Sequence, residues 1–232
     1  MRYGPETLRL SALPSTASAA VVEVWRVKLR PTADRLACAW QSLDERERAR
    51  ADAFRFEADR VRYVAAHGAL RRLLATCLDL EPEALRFVQG AAGKPGLDGD
   101  SATRLEFNLS HSGDRGLIAI CRGGPVGVDL EQIRPGFDYA GIADRYFSSE
   151  ENARLRRAGL CTVREFFRLW TRKEAQWKAC GLGLAAVEEE TGPAASAGWT
   201  VRELAIAPDY AAAVCASGSH WALHCMPFGE DD

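Results

Sequence analysis

No stretch of this 232-residue chain strings together the roughly 18 to 20 apolar residues that a bilayer crossing needs, which sets a membrane-spanning helix aside. The N-terminus also lacks the basic-then-apolar pattern of a secretory leader, so the expected location is cytoplasmic. Charge of one sign is missing as well: 30 basic residues face 32 acidic ones, and such a balance builds no whole-molecule field for nucleic acid or an anionic membrane surface. Any anion site must therefore be local. The seven cysteines contain no C-x-x-C pair, which removes the usual zinc and redox-dithiol spacings. Cys38, Cys77, Cys121, Cys161, Cys180, Cys215 and Cys225 are expected to be buried small hydrophobes. What is present is 47% hydrophobic content, enough to core one large domain or two small ones.

Residues 20–29 alternate apolar and polar with branched side chains, predicting a strand that Pro31 ends. Between residues 42 and 80 apolar residues recur at near-helical spacing, predicting two helices parted near 57–59. The span 90–99, GAAGKPGLDG, is rich enough in Gly and Pro to predict a loop. Short strands follow at 107–109 and 116–120 around a polar turn, and 125–130 has the near-continuous apolar character of a strand buried on both faces. Helical patterns return at 141–146, 148–158 and 162–179, an exposed acidic loop is expected at 188–196, and 200–207 and 210–215 resemble closing strands. The order strand, helices, strands thus occurs twice. It predicts two similar α+β halves, residues 1–123 and 124–232, joined where Gly123, Gly124 and Pro125 break the chain.

The chemistry concentrates in four places. In Gly127-Val128-Asp129-Leu130-Glu131 two carboxylates one residue apart on a strand project from the same face, and burying such a pair calls for a cation. A strand end whose acids meet solvent or an arginine satisfies the same spacing. In Trp170-Thr171-Arg172-Lys173-Glu174-Ala175-Gln176-Trp177-Lys178, Glu174 and Lys178 are four apart on one helix face, either as a surface ion pair or as a further oxygen ligand beside a cation for an anionic substrate. Phe107-Asn108-Leu109-Ser110-His111-Ser112-Gly113-Asp114 runs from a strand into hydrogen-bonding groups suited to a phosphate. Adjacent Ser and His with no acid to orient the imidazole argue against a serine hydrolase. Gly93-Lys94-Pro95-Gly96-Leu97 projects one lysine from a rigid frame and lacks the spacing of a P-loop.

In this order GKPGL, FNLSHSG, VGVDLE, FSSEE and WTRKEAQWK resemble the motif set of the phosphopantetheinyl transferases, specifically the Sfp type with two fused halves, over residues 42–184. The resemblance implies two pseudo-twofold-related α+β halves with coenzyme A in the cleft between them. It implies that Asp129, Glu131 and Glu174 bind Mg2+, with Mn2+ as the other candidate, and that Lys178 steadies the pyrophosphate. Lys94, Pro95, Ser110 and His111, with Arg62 and Arg48, would hold the nucleotide phosphates. Glu174 is the first choice of general base, with Glu151 of Phe147-Ser148-Ser149-Glu150-Glu151 or a water on the metal as alternates. The implied partner is an apo acyl or peptidyl carrier protein, docking on the aromatic stretch 135–146 that contains Phe137, Tyr139, Ile142 and Tyr146. A monomer is expected, with no nucleic acid or membrane partner. A metal-dependent phosphodiesterase would want more acids or histidines and a basic tract. A silent coenzyme A-binding protein would not need the three carboxylates together.

Overall fold

The first strand, β1 (Ala20–Lys28), divides its side chains by period two: Val22 and Val24 enter one core, Trp25 and Val27 the other. A computed structural model describes residues 20–90, 93–98, 105–181 and 198–229. After β1 come three helices, α1 (Ala33–Ser42), α2 (Glu45–Asp52) and α3 (Glu57–Leu78), then the strands β2 (Phe87–Gln89), β3 (Pro95–Leu97), β4 (Leu105–Ser112) and β5 (Arg115–Arg122). The second run is β6 (Val126–Gln132), α4 (Ala140–Tyr146), α5 (Ser149–Arg157), α6 (Thr162–Cys180), β7 (Trp199–Glu203), β8 (Tyr210–Ser217) and β9 (Trp221–Pro227).

The two runs are topological copies. In the first sheet β1 pairs antiparallel with β5, which pairs antiparallel with β4; in the second, β6 pairs antiparallel with β8, which pairs antiparallel with β7. Each sheet therefore places its opening strand beside the last strand of the closing hairpin, and the doubling expected from the sequence is present in the architecture.

Alternation then builds four layers. Val22, Val24, Leu117 and Ala119 of the first sheet meet Val126, Val128, Leu130, Ala212 and Val214 of the second, a buried apolar interface between sheets. Trp25, Val27, Ile118 and Ile120 face outward onto Ala66, Leu70, Leu73 and Leu74 of α3. Ala213 and Cys215 face outward onto Ala175 and Ala179 of α6. Each fully buried branched side chain contributes about 1.5–3 kcal/mol.

Several local details differ from expectation. The Gly- and Pro-rich span predicted as a loop contains β3, paired with β2 in a two-stranded ribbon; a two-stranded ribbon has only edges, and Pro95 opens its strand, where proline is tolerated. Helix α1, not expected from the pattern, follows Pro31 and packs beneath α3. Strand β9 was not expected either, and it lies parallel to β1 on the free edge of the first sheet. Cys121 and Cys215 are buried, but Cys38, Cys161 and Cys225 are exposed and Cys77 and Cys180 partly so, which corrects the expectation of seven interior thiols. The first two exposed thiols sit on outward helical and turn positions. The expected acidic loop at 188–196 lies outside the described residues. Among those described, no helix is long and apolar enough to cross a membrane.

Two packing features hold the first half's helices. Arg71 of α3 is fully buried, and its guanidinium donates to Glu47 and Asp44 of the α2 cap and to the carbonyls of Pro82 and Leu85. Gly68 sits where α1 crosses α3: a Cβ there would lie 2.5 Å from Ala39 Cβ and 2.7 Å from Ala39 Cα. Alanine gains about 1 kcal/mol of helix propensity over glycine, while forced overpacking costs about 1–3 kcal/mol. Because one colliding atom is backbone, Gly68→Ala is expected to lower stability, read as a lower denaturant midpoint; a higher midpoint would show that the crossing can spread without cost.

Candidate active site

The site forms where the edge strand of one sheet abuts the edge strand of the other. β4 and β6 run side by side in the same direction, and alternate β4 side chains take the N–H groups that β6 would otherwise leave unpaired. Val128 N–H donates to Asn108 Oδ1 at 2.8 Å, Leu130 N–H to Ser110 Oγ at 3.3 Å, and Gln132 N–H to Ser112 Oγ at 3.0 Å. Both serine hydroxyls pass a hydrogen bond onward. Ser110 donates to Asp129 Oδ1 at 2.9 Å and Ser112 to Glu131 Oε2 at 2.8 Å.

Helix α6 closes the site from the other side, and Gly127 determines how near it comes. A Cβ on Gly127 would lie 2.1 Å from the carbonyl oxygen of Ala175 and 2.4 Å from the amide nitrogen of Ala179, so helix and strand touch backbone to backbone. One turn of α6 then delivers Glu174 and Lys178. Lys178 Nζ donates to Asp129 Oδ1 at 2.6 Å and to Ser110 Oγ at 3.2 Å, and lies 3.4 Å from Glu174 Oε2.

Asp129 is only 2% exposed, and its Oδ2 has no hydrogen-bond partner. Burial, with the Asp129 charge next, pushes Glu174 up to about 7 against the pull of Lys178. Burial also raises Glu131, its bond from Ser112 opposing and Asp129 adding to the effect. On Lys178 burial acts to lower the pKa, but Asp129 and Glu174 outweigh it and hold the ammonium protonated. The three carboxylates share one electrostatic neighbourhood without converging: among the described residues no three His, Cys, Asp or Glu side chains gather closely enough to hold a metal ion. Lys178 supplies the positive charge between Asp129 and Glu174. An all-oxygen donor set with one buried carboxylate oxygen unpartnered does fit a hard cation.

The remaining sequence candidates divide. His111 follows Ser110 on β4, its pKa lowered first by desolvation and then by nearby positive groups that include Lys178 and Arg62, with Asp59 opposing. Arg62 is engaged by Asp114 and Asp59. Lys94 reaches across from the β2–β3 ribbon to donate to Val126 O at 3.1 Å, with Glu106 at 3.7 Å and Pro95 next to it. Arg48 donates to the carbonyls of Trp40 and Gln41 at the end of α1, and no contact ties it to the site. Glu151 closes a capping box with Ser148 at the start of α5 and pairs with Lys173 at 3.0 Å. Of the stretch expected to meet a carrier, Phe137 and Tyr139 are half-buried and pack onto Phe166, and Phe137 onto Phe167 as well. Ser112, inside a motif already singled out, is the site residue that sequence patterns left without a role, since its carboxylate partner lies 19 residues away.

Residues 27–122 match the family described as 4'-phosphopantetheinyl transferase, N-terminal, and residues 125–215 match the 4'-phosphopantetheinyl transferase superfamily. The 4'-phosphopantetheinyl transferase HetI of Nostoc sp. is 36% identical over 215 residues, covering 86% of this chain and 89% of its own. The phosphopantetheinyl transferase of Thraustochytrium sp. is 28% identical over 196 residues, 75% of this chain and 68% of its own. The 4'-phosphopantetheinyl transferase psf-1 of Bacillus pumilus is 35% identical over 140 residues, 60% of this chain and 58% of its own. With both halves matched and a relative this similar along most of both chains, the protein belongs to the 4'-phosphopantetheinyl transferase superfamily.

Proposed function

We infer that this chain transfers the 4'-phosphopantetheine arm of coenzyme A to a serine of an apo acyl or peptidyl carrier protein, leaving adenosine 3',5'-bisphosphate. The observation that carries this is Lys178 joining Asp129 and Glu174, with Glu131 in the same electrostatic neighbourhood, at the junction of two halves that each match the transferase family. In the reaction the serine oxygen bonds to the β-phosphorus while the bond from that phosphorus to the bridging oxygen breaks, and the departing bisphosphate gathers negative charge. Lys178 meets that charge, exchanging its contact with Asp129 for the phosphate. Asp129, Glu131 and Glu174 are the residues that would hold Mg2+, or Mn2+ in its place. The ion, when bound, supplies neutralisation of the pyrophosphate. Glu174, beside Lys178 on α6, receives the serine proton; Glu151 is occupied by its cap and by Lys173. His111, Ser110, Arg62, Lys94 and Pro95 surround the nucleotide phosphates. Arg48 has less support, since Nε and Nη2 donate to carbonyls of α1. The divide between the halves is placed at 123/124, with β9 counted spatially with the first. Since one chain carries both halves, a cytoplasmic monomer suffices.

Mass spectrometry of apo acyl and peptidyl carriers incubated with coenzyme A and Mg2+ is expected to show a phosphopantetheine adduct. EDTA should remove it and excess Mg2+ restore it. Folded protein that binds coenzyme A yet leaves several unrelated carriers unmodified would point to a silent binding protein.

A further inference from the structure

We propose that Ser112 is a positioning residue for the transfer reaction, setting the Glu131 carboxylate through a hydroxyl that is itself fixed by the β6 backbone; this rests on the carboxylate site proposed above. The β4–β6 contact has three rungs at a constant offset of 20 residues, from Asn108, Ser110 and Ser112 to the N–H groups of Val128, Leu130 and Gln132. A hydroxyl differs from an amide oxygen in what it does next. Asn108 Oδ1 accepts and stops there, as a brace for β6. A serine oxygen accepts the backbone N–H and must then direct its own proton elsewhere. Both serines direct it to the acid that precedes the bonded N–H: Ser110 to Asp129 and Ser112 to Glu131.

The accepted bond fixes where the hydroxyl oxygen sits, and the donated bond fixes where the carboxylate turns. Asp129 has further support from Lys178, whereas Ser112 provides the only hydrogen bond described for the Glu131 carboxylate. A carboxylate on a flexible side chain that lost this partner would sample more rotamers and pay that freedom back on binding a cation. Outer partners of metal-binding groups are worth about 10- to 100-fold in affinity or activity. Ser112 is partly exposed and on an edge strand, so its change is separable from the fold.

The test follows Mn2+ binding by electron paramagnetic resonance in the presence of saturating coenzyme A, for the unchanged protein, Ser112→Ala, Ser112→Thr and Asp129→Ala, alongside kcat and KM for the carrier. Ser112→Ala is expected to weaken Mn2+ about tenfold, with Ser112→Thr, which keeps the hydroxyl, close to the unchanged protein, and with the carrier KM unmoved. If Ser112→Ala binds Mn2+ normally while Asp129→Ala does not, the positioning role is overturned and the carboxylate site stands. If Asp129→Ala also binds normally, or the unchanged protein does not bind, the carboxylate site itself falls and the role of Ser112 with it. Should Ser112→Ala not fold, equal Mn2+ binding by Ser112→Thr and Ser112→Val would overturn the proposal just as well.

Discussion

Gly127→Ala is expected to lower Tm by about 10 °C or more and to remove most of the transfer activity from whatever protein still folds. The colliding atom would be the Cβ itself, 2.1 Å from one backbone atom of α6 and 2.4 Å from another, so no rotamer can relieve it. Overpacking that side chains can absorb costs about 1–3 kcal/mol, and at about 2–4 °C per kcal/mol for a chain of this size a backbone collision exceeds the upper end. Strand and helix must part. Because α6 carries Glu174 and Lys178, parting also withdraws both from Asp129. Thermal denaturation with kcat on the surviving fraction checks this, and a variant with unchanged Tm and kcat would show that the close approach is incidental to the site.

Asp129→Asn is expected to cut kcat/KM by about 10²- to 10³-fold, the range seen when one preorganised electrostatic group is removed from an active site. The substitution keeps the shape and removes the charge. Lys178 retains Glu174 as a counter-ion at 3.4 Å, so the loss should fall on the reaction far more than on folding. Steady-state transfer with circular dichroism on the same sample separates the two. Near-normal turnover from a folded Asp129→Asn would sink the assignment of Asp129 to the reacting centre.

Much of this arrangement was legible in one dimension because its periods are short. Alternation in β1 and the near-continuous apolar run of residues 125–130 predict strands, and the twofold order of elements predicts copies that the sheet topology displays. Two acids at period two, and an acid and a lysine one helical turn apart, need only local geometry to be recognised. What escaped depends on contacts between distant residues. Nothing near Gly127 announces that a helix starting at residue 162 will lie on it, and nothing near Ser112 names Glu131. Phe137 and Tyr139 are a further case: aromatics beside this strand invite a docking role, and only the position of α6 shows that one side of each packs against a core. Strand β9 gave no warning, since its partner is 201 residues away along the chain, at Ala20↔Trp221 and Val21↔Ala222 alike.

That last pairing has a consequence for how the protein is made. A chain leaving the ribosome presents the first half early, but the sheet begun by β1 lacks its fourth strand until residue 227 has emerged. Long-range parallel pairing of this kind is slow to form, and until it does, one edge of β1 stays open to wrong partners. The two halves resemble a duplication, yet a cut between them would release a first fragment missing an edge and a second carrying a strand with no sheet to join. The strand that completes the first sheet is thus among the late ones to emerge, and it closes on the strand that opened that sheet.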